Sequence, residues 1–251
     1  MLEYRAAPQL LAGKVILVTG AGDGIGREAA LTYAAHGATL ILLGRSVAKL
    51  EATFDAIEAA GGPLPAIVPL DLMHAKAADY RGLADTFERQ FGRLDGVLFN
   101  AGQLGTLCPF EQIKEHEWDE VMQVNVKSEF LMTQALLPLL RRTAKAQGEA
   151  VLLYTSSSVG RKGRAYWGSY AVSKFAVEGM MEVLADELEH TGVRVNTINP
   201  GGTRTKMRAS AFPAEDPMNL KTPADLMPLY LYLMGKESRG QSGKTFVAQP
   251  K

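Results

Sequence analysis

Val15-Ile16-Leu17-Val18 runs directly into Thr19-Gly20-Ala21-Gly22-Asp23-Gly24-Ile25-Gly26. Four consecutive apolar residues bounded by a turn signal read as a buried strand. Beyond the glycines, Ile25 to His36 has the make-up of a helix that closes at Gly37, a C-cap. A strand, a glycine-rich turn and a helix in that order bring main-chain N–H groups to one point. A dinucleotide pyrophosphate needs that close approach and side chains would obstruct it, which gives Gly20, Gly22, Gly24 and Gly26 a physical reason. Glycine-rich strings also occur in ordinary tight turns; the position between a strand and a helix favours the nucleotide site. Asp23 and Ile25 belong to the same turn and count as candidate contacts.

Outward from this turn the pattern repeats. Thr39 to Leu43, Ala66 to Leu70, Gly96 to Phe99, Val151 to Thr155, Val193 to Ile198 and Thr245 to Ala248 read as further strands. They are apolar on both faces, as parallel strands covered by helices are. Helical segments lie between them. Val47 to Ala60 ends at Gly61-Gly62, Glu117 to Arg142 is expected to kink or stop short at Pro138, and Ser169 to His190 ends before Gly192. The alternation predicts a single-domain, Rossmann-like α/β fold: a doubly wound parallel sheet of about seven strands with helices on both faces. No composition break marks a second domain. Residues 1–251 therefore read as one unit, with a cofactor half at about 14–150 and a catalytic and substrate half at about 151–251.

Thr203 to Leu220 departs from the alternation. It carries Met207, Phe212, Pro213 and Pro217 among mixed charges. An irregular segment at the carboxyl end of a strand is where an active-site lid sits, although a passive surface loop has the same composition. The helix after it has a clear start, because Thr222-Pro223-Ala224-Asp225 supplies an N-cap, a first-turn proline and a carboxylate at the third position.

Bulk properties narrow the function. Lys and Arg number 27, Asp and Glu number 27, and the formal net charge is zero. That balance argues against a nucleic-acid or membrane-surface partner held by electrostatics. The single cysteine, Cys108, can build neither an intramolecular disulfide nor a cysteine-based zinc site, and no metal site is expected. The N-terminal segment lacks the apolar core of a signal peptide, and no apolar run reaches the roughly 18 residues of a membrane span. These features predict a soluble cytoplasmic protein.

Two further clusters carry chemistry. The second strand ends Leu42-Leu43-Gly44-Arg45-Ser46, with no carboxylate to hold a ribose 2′-hydroxyl. Arg45 instead offers a fork of donors suited to a 2′-phosphate, which points to NADP(H) and leaves NAD(H) as the alternative. Tyr170 and Lys174 stand four apart and share one face of a helix. A free tyrosine has a pKa of about 10, too high for acid–base work at neutral pH. A nearby ammonium favours the phenolate, and a drop of three units needs roughly 4 kcal/mol of differential stabilisation. Thr155-Ser156-Ser157-Ser158-Val159-Gly160 follows the fifth strand, and Ser157 stands thirteen residues before Tyr170.

Taken in order, these strings resemble the short-chain dehydrogenase/reductase superfamily over nearly the whole chain. Gly20, Gly24 and Gly26 match its Thr-Gly-x-x-x-Gly-x-Gly signature, and Asn100-Ala101-Gly102 matches its Asn-Ala-Gly motif. The resemblance implies a catalytic tetrad of Asn125, Ser157, Tyr170 and Lys174. It implies that Asp71-Leu72 lies near the adenine and that Pro200, Gly201, Thr203 and Thr205 meet the nicotinamide. Asn125 would hold a water in a proton relay, and Tyr170 and Lys174 would also touch the cofactor. Asp23 is a departure, since many NADP-preferring members carry a basic residue within the glycine turn. The strings at 155–161, 199–205 and 207–213 are most similar to the bacterial YciK-type oxidoreductases.

The resemblance implies a small-molecule carbonyl or alcohol substrate. Trp167, Leu104, Met207 and Phe212 are candidates to line its pocket. It also implies a homodimer through the helices at 117–142 and 169–190. The ending Phe246-Val247-Ala248-Gln249-Pro250-Lys251 lacks the Gly-Gly of many relatives and weakens the case for a homotetramer. A non-catalytic nucleotide-binding scaffold would tolerate loss of Tyr170 or Lys174, and both are present. A sugar epimerase or dehydratase would be longer and carry a different glycine spacing.

Overall fold

The computed structural model describes residues 4–250. Its centre is a seven-stranded sheet, all parallel, in the order β3-β2-β1-β4-β5-β6-β7. The strands are β1 Val15–Thr19, β2 Thr39–Gly44, β3 Ala66–Pro69, β4 Gly96–Phe99, β5 Ala150–Thr155, β6 Val193–Asn199 and β7 Lys244–Val247. The helices are α1 Gly24–Ala35, α2 Val47–Ala59, α3 Ala77–Phe91, α4 Glu115–Met122, α5 Ser128–Gln147, α6 Gly168–Glu187, α7 Lys206–Ala211 and α8 Pro223–Met234. Among the described residues, no helix is long and apolar enough to cross a membrane.

Alternation explains why β1 looks apolar throughout. In β1, Ile16 and Val18 join a core with Tyr33, Leu50 and Tyr230, from α1, α2 and α8. Val15 and Leu17 point the other way, to Phe87, Leu136 and Val177 from α3, α5 and α6. In β1 both faces are buried, so no polar period survives there; β6 keeps one, because Arg194 and Asn196 are buried polar residues that hydrogen-bond to the Leu233–Gln241 segment. The chain starts outward from β1 to β2 and β3, then returns to place β4 on the other side of β1. That reversal opens a crevice at the carboxyl ends of β1 and β4, where doubly wound sheets bind ligands.

Three expectations need correction. The helix predicted over 117–142 is interrupted by a π-turn at Gln123–Lys127, and Pro138 does not stop it. Proline forfeits one main-chain bond, but the buried row Met132, Leu136, Leu139 and Leu140 carries α5 on to Gln147. The connection from β3 to β4 contains a fifteen-residue helix, α3, with no counterpart in the reading above. Its acidic and basic residues dilute the pattern, and only Tyr80 and Phe87 are fully buried. Finally, the irregular segment at 203–220 contains a short helix, α7, capped by the Thr205 hydroxyl. The start of α8 is as expected: Thr222 accepts from the Asp225 N–H, and the Asp225 carboxylate accepts from the Thr222 N–H.

Candidate active site

The glycine turn is held against β4 by atoms that leave no room for side chains. The Thr19 hydroxyl accepts from the N–H groups of Asn100 (2.9 Å) and Ala101 (3.0 Å). This clamps the ends of β1 and β4 together. A Cβ on Gly20, whose φ is +70°, would lie 3.1 Å from Ala101. One on Gly26 would lie 2.3 Å from the Gly20 carbonyl oxygen and 2.6 Å from Asn100 Nδ2. Gly26 therefore packs α1 closely onto the sheet behind the turn, where only its main-chain N–H is left to face a ligand. The N–H groups of Ile25 and Gly26, in the first turn of α1, donate to no acceptor among the described residues. Such orphan donors are what a phosphate uses.

A cleft of about 930 Å³ runs along this edge. Gly20, Gly22, Asp23, Gly24, Ile25, Asn100, Ala101 and Gly102 line one stretch. Arg45, Asp71 and Leu72 line the end beyond β2 and β3. Among the described residues, Arg45 has neither an ion pair nor a hydrogen bond, so its guanidinium is free. Asp71 accepts from the Met73 N–H (3.1 Å) and pairs with His74 (2.9 Å). His74 first, then the Met73 N–H, hold its carboxyl below the usual value.

Asp23 behaves differently from a simple cofactor contact. Its side chain caps α1 by accepting from the Gly24 N–H (2.9 Å) and meets Lys49 (2.6 Å) and Lys206 (3.0 Å). The hydrogen bond from Lys49, ahead of that from Lys206, holds its pKa at about 2. Lys49, from the first turn of α2, lies against Gly22 and brings a cation to the turn despite the acid there. Lys49 was not singled out from sequence. Its one available signal was its place four residues beyond Arg45, on the helix that follows the 2′ position.

The four chemical residues converge from three elements. Tyr170 and Lys174 sit one turn apart on α6, 8% and 3% exposed. The Lys174 ammonium lies 5.8 Å from the Tyr170 ring centroid and donates to the Thr155 carbonyl (2.7 Å) at the end of β5. Gly160 permits this packing, because a Cβ there would lie 2.9 Å from Lys174 Cβ. Ser157 opens the turn after β5 and lines the same cleft. Asn125 lies in the π-turn, fully buried and behind the cleft wall. Its amide donates to the Gln103 carbonyl (2.9 Å) and to Ser173 Oγ (3.0 Å) and accepts from the Gln103 N–H (2.7 Å). Both amide hydrogens are thus committed to protein. The group ties the loop after β4 to α6.

The far wall is the segment after β6. Pro200, Gly201, Thr203 and Thr205 line the cleft, as do Leu104, Trp167 and Met207. Phe212 does not; it packs against Trp167 at a tilt, with ring centroids 5.8 Å and planes 41° apart.

A crevice at a β1/β4 reversal, with a glycine turn at one wall and Tyr170 and Lys174 buried at the other, has counterparts among known proteins. A family model described as short chain dehydrogenase matches residues 14–216. The chain belongs to the short-chain dehydrogenase family. It is an oxidoreductase. It is 55% identical over 249 residues to the uncharacterized oxidoreductase YciK of Escherichia coli strain K12, covering 99% of this chain and 97% of that protein. A short-chain dehydrogenase of Shigella flexneri 2a strain 301, complexed with NADP, is 56% identical with a TM-score of 0.94, covering 97% of this chain and 100% of that one. A short-chain dehydrogenase of Escherichia coli CFT073, complexed with NADPH, is 57% identical with a TM-score of 0.93, again covering 97% and 100%.

Proposed function

We propose that this short-chain dehydrogenase is NADP(H)-dependent and interconverts a carbonyl and a secondary alcohol, with Tyr170 as the general acid and base. The observation that carries the reading is the buried Tyr170–Lys174 pair at the mouth of the crevice, with the ammonium 5.8 Å from the phenol ring centroid. General acid–base catalysis needs a hydroxyl positioned within reach of the reacting oxygen, and Tyr170 lines the cleft. The NADP and NADPH complexes of the Shigella and Escherichia relatives support the cofactor. So does Arg45, whose free guanidinium suits the 2′-phosphate.

The residues present fit such a cofactor. The orphan N–H groups of α1 suit its pyrophosphate, Asp71 and Leu72 its adenine end, and Pro200, Gly201, Thr203 and Thr205 its nicotinamide end. When bound, NADPH supplies the hydride. Tyr170 donates its hydroxyl proton to the carbonyl oxygen as negative charge develops there. Ser157 donates a second hydrogen bond to the same oxygen and fixes its direction. Lys174 lines the cleft beside the phenol and is placed to hold the nicotinamide ribose. Asn125 holds the Gln103 loop and α6 at a fixed separation, which keeps Lys174 under the site.

Residues 1–251 act as one domain in this reading, the cofactor half ending near 150. The exposed Phe130, Val172, Phe175 and Val183 on α5 and α6 support a homodimer through those helices. The test is NADPH consumption against a panel of ketones, aldehydes, quinones and secondary alcohols, repeated with Tyr170→Phe. The substitution is expected to abolish turnover while NADPH affinity changes little. Substantial residual turnover, or no NADPH binding by the wild type, overturns the assignment.

A further inference from the structure

Beside the catalytic tyrosine the cleft carries one cation that the other described residues leave without an anionic partner. Besides Lys174, which the hydride-transfer reading already uses, four side chains bring charge to this end of the cleft. Arg208 is taken by Glu215, through Nε and Nη2 at 2.5 Å each, and lies 3.8 Å from the Phe212 ring centroid. Lys206 is taken by Asp23. Glu120 accepts from the Gln103 side chain at 3.0 Å. The fourth, Arg164, has no ion pair and donates no side-chain hydrogen bond among the described residues. Its guanidinium lies 5.9 Å from the Trp167 ring centroid and 5.5 Å from that of Phe212.

The backbone holds Arg164 and Trp167 in that relation at a cost. The Trp167 N–H donates to the Arg164 carbonyl (3.2 Å), closing a four-residue turn. Its third position is Tyr166, with φ at +73°. That conformation favours glycine or asparagine, and a bulky side chain there costs on the order of 1 kcal/mol. Tyr166 is 61% exposed, so its own packing gives little in return. Strain of this kind persists where a loop must aim neighbouring side chains. Here the turn aims an unpaired cation and an indole into the cleft, and the indole stands 5.9 Å from the Tyr170 ring.

Resting on the hydride-transfer reading above, we propose that Arg164 anchors the substrate, and that the substrate is a carbonyl compound bearing an anionic group across a flat apolar body. The carbonyl meets Tyr170 and Ser157, the flat body lies along Trp167, and a carboxylate pairs with Arg164. Trp167 lies within 5.9 Å of both Tyr170 and Arg164, so one aromatic or cyclic unit spans the interval. Arginine suits this role because its planar fork meets a carboxylate through two bonds while its face stays on an aromatic ring.

The test uses two matched pairs: 4-carboxybenzaldehyde with 4-carbamoylbenzaldehyde, and 4-acetylbenzoate with 4-acetylbenzamide. Turnover is followed by NADPH consumption. Binding of the acetyl pair to protein saturated with NADP, which cannot react with a ketone, is followed by calorimetry. For the wild type, the anion is expected to win by about tenfold or more in kcat/KM and in affinity, mainly through KM. Arg164→Gln should reduce that ratio to near one while leaving the neutral partner and NADPH affinity within about threefold; Arg164→Lys should restore part of it. Equal wild-type binding of 4-acetylbenzoate and 4-acetylbenzamide overturns the proposal, as does an Arg164→Gln protein that keeps the full preference. If the Arg164-dependent binding preference appears without turnover of any compound, the anion site stands and the hydride-transfer reading is the part that fails.

Discussion

Replacing Glu129 with glutamine is expected to stabilise the protein at neutral pH and above. Glu129 lies in the first turn of α5, four residues beyond Asn125, and is 3% exposed. Neither carboxylate oxygen has a hydrogen-bond partner among the described residues. Burial pushes its pKa from 4.5 up to about 8, against the pull of the Lys174 ammonium. The folded chain thus keeps a proton that the unfolded chain releases. Between pH 4.5 and 8 the folded state binds more protons than the unfolded state, so stability falls as pH rises through that window and levels off above it. At pH 7 the accumulated cost is about 3 kcal/mol. Glutamine has nearly the same shape and cannot ionise, so it escapes this cost while leaving the packing around Met132 and Thr133 unchanged. For a chain of this size, the gain corresponds to a Tm rise of roughly 6–12 °C at pH 7. Thermal unfolding of both proteins from pH 4.5 to 8.5 is the assay. The two curves should converge at the acid end and separate as pH rises. A variant less stable than wild type at pH 8, or a gap that does not change with pH, would refute the reasoning and mean that Glu129 is ionised and paired.

Other outcomes follow from the same structure. Arg45→Ala should weaken NADPH binding by about ten- to a hundredfold and leave NADH binding nearly unchanged, because only the former presents a phosphate to the guanidinium. Cofactor titrations with both nucleotides check this. Gly26→Ala places a Cβ 2.3 Å from the Gly20 carbonyl and should cost about 1–3 kcal/mol, read as a lower Tm together with weaker cofactor binding. A loss of NADPH binding with an unchanged Tm would contradict the packing role given to Gly26.

What could be read from residues alone depended on how strongly each element signals its own environment. All seven strands were legible to within a residue at each end: the central ones are unbroken apolar runs bounded by turn residues, while β6 and β7 were marked by β-branched and aromatic residues instead. The helix α3 was not, since Tyr80 and Phe87 stand seven apart in a charged segment and give a faint stripe. Pro138 drew attention as a break, yet the true interruption is the π-turn around Asn125, where no residue type announces it. Ser157, Tyr170, Lys174 and the glycine turn, singled out for chemistry or clearance, line one cleft, whereas Asn125 lies behind its wall. Two cations could not be read from residues alone. Lys49 gains meaning only when α2 folds back on Gly22, and Arg164 only when the Tyr166 turn lays it beside Trp167. Asp23 looked like an obstacle to a 2′-phosphate until its partners Lys49 and Lys206 were in place.

A crystal of the protein grown with NADP tests the central claim most directly. The account predicts the pyridine ring between the Thr203 segment and Tyr170, with its C4 close enough to the phenol oxygen for one carbonyl group to bridge them. A ring lodged elsewhere in the cleft, or a phenol oxygen turned away from C4, would contradict it.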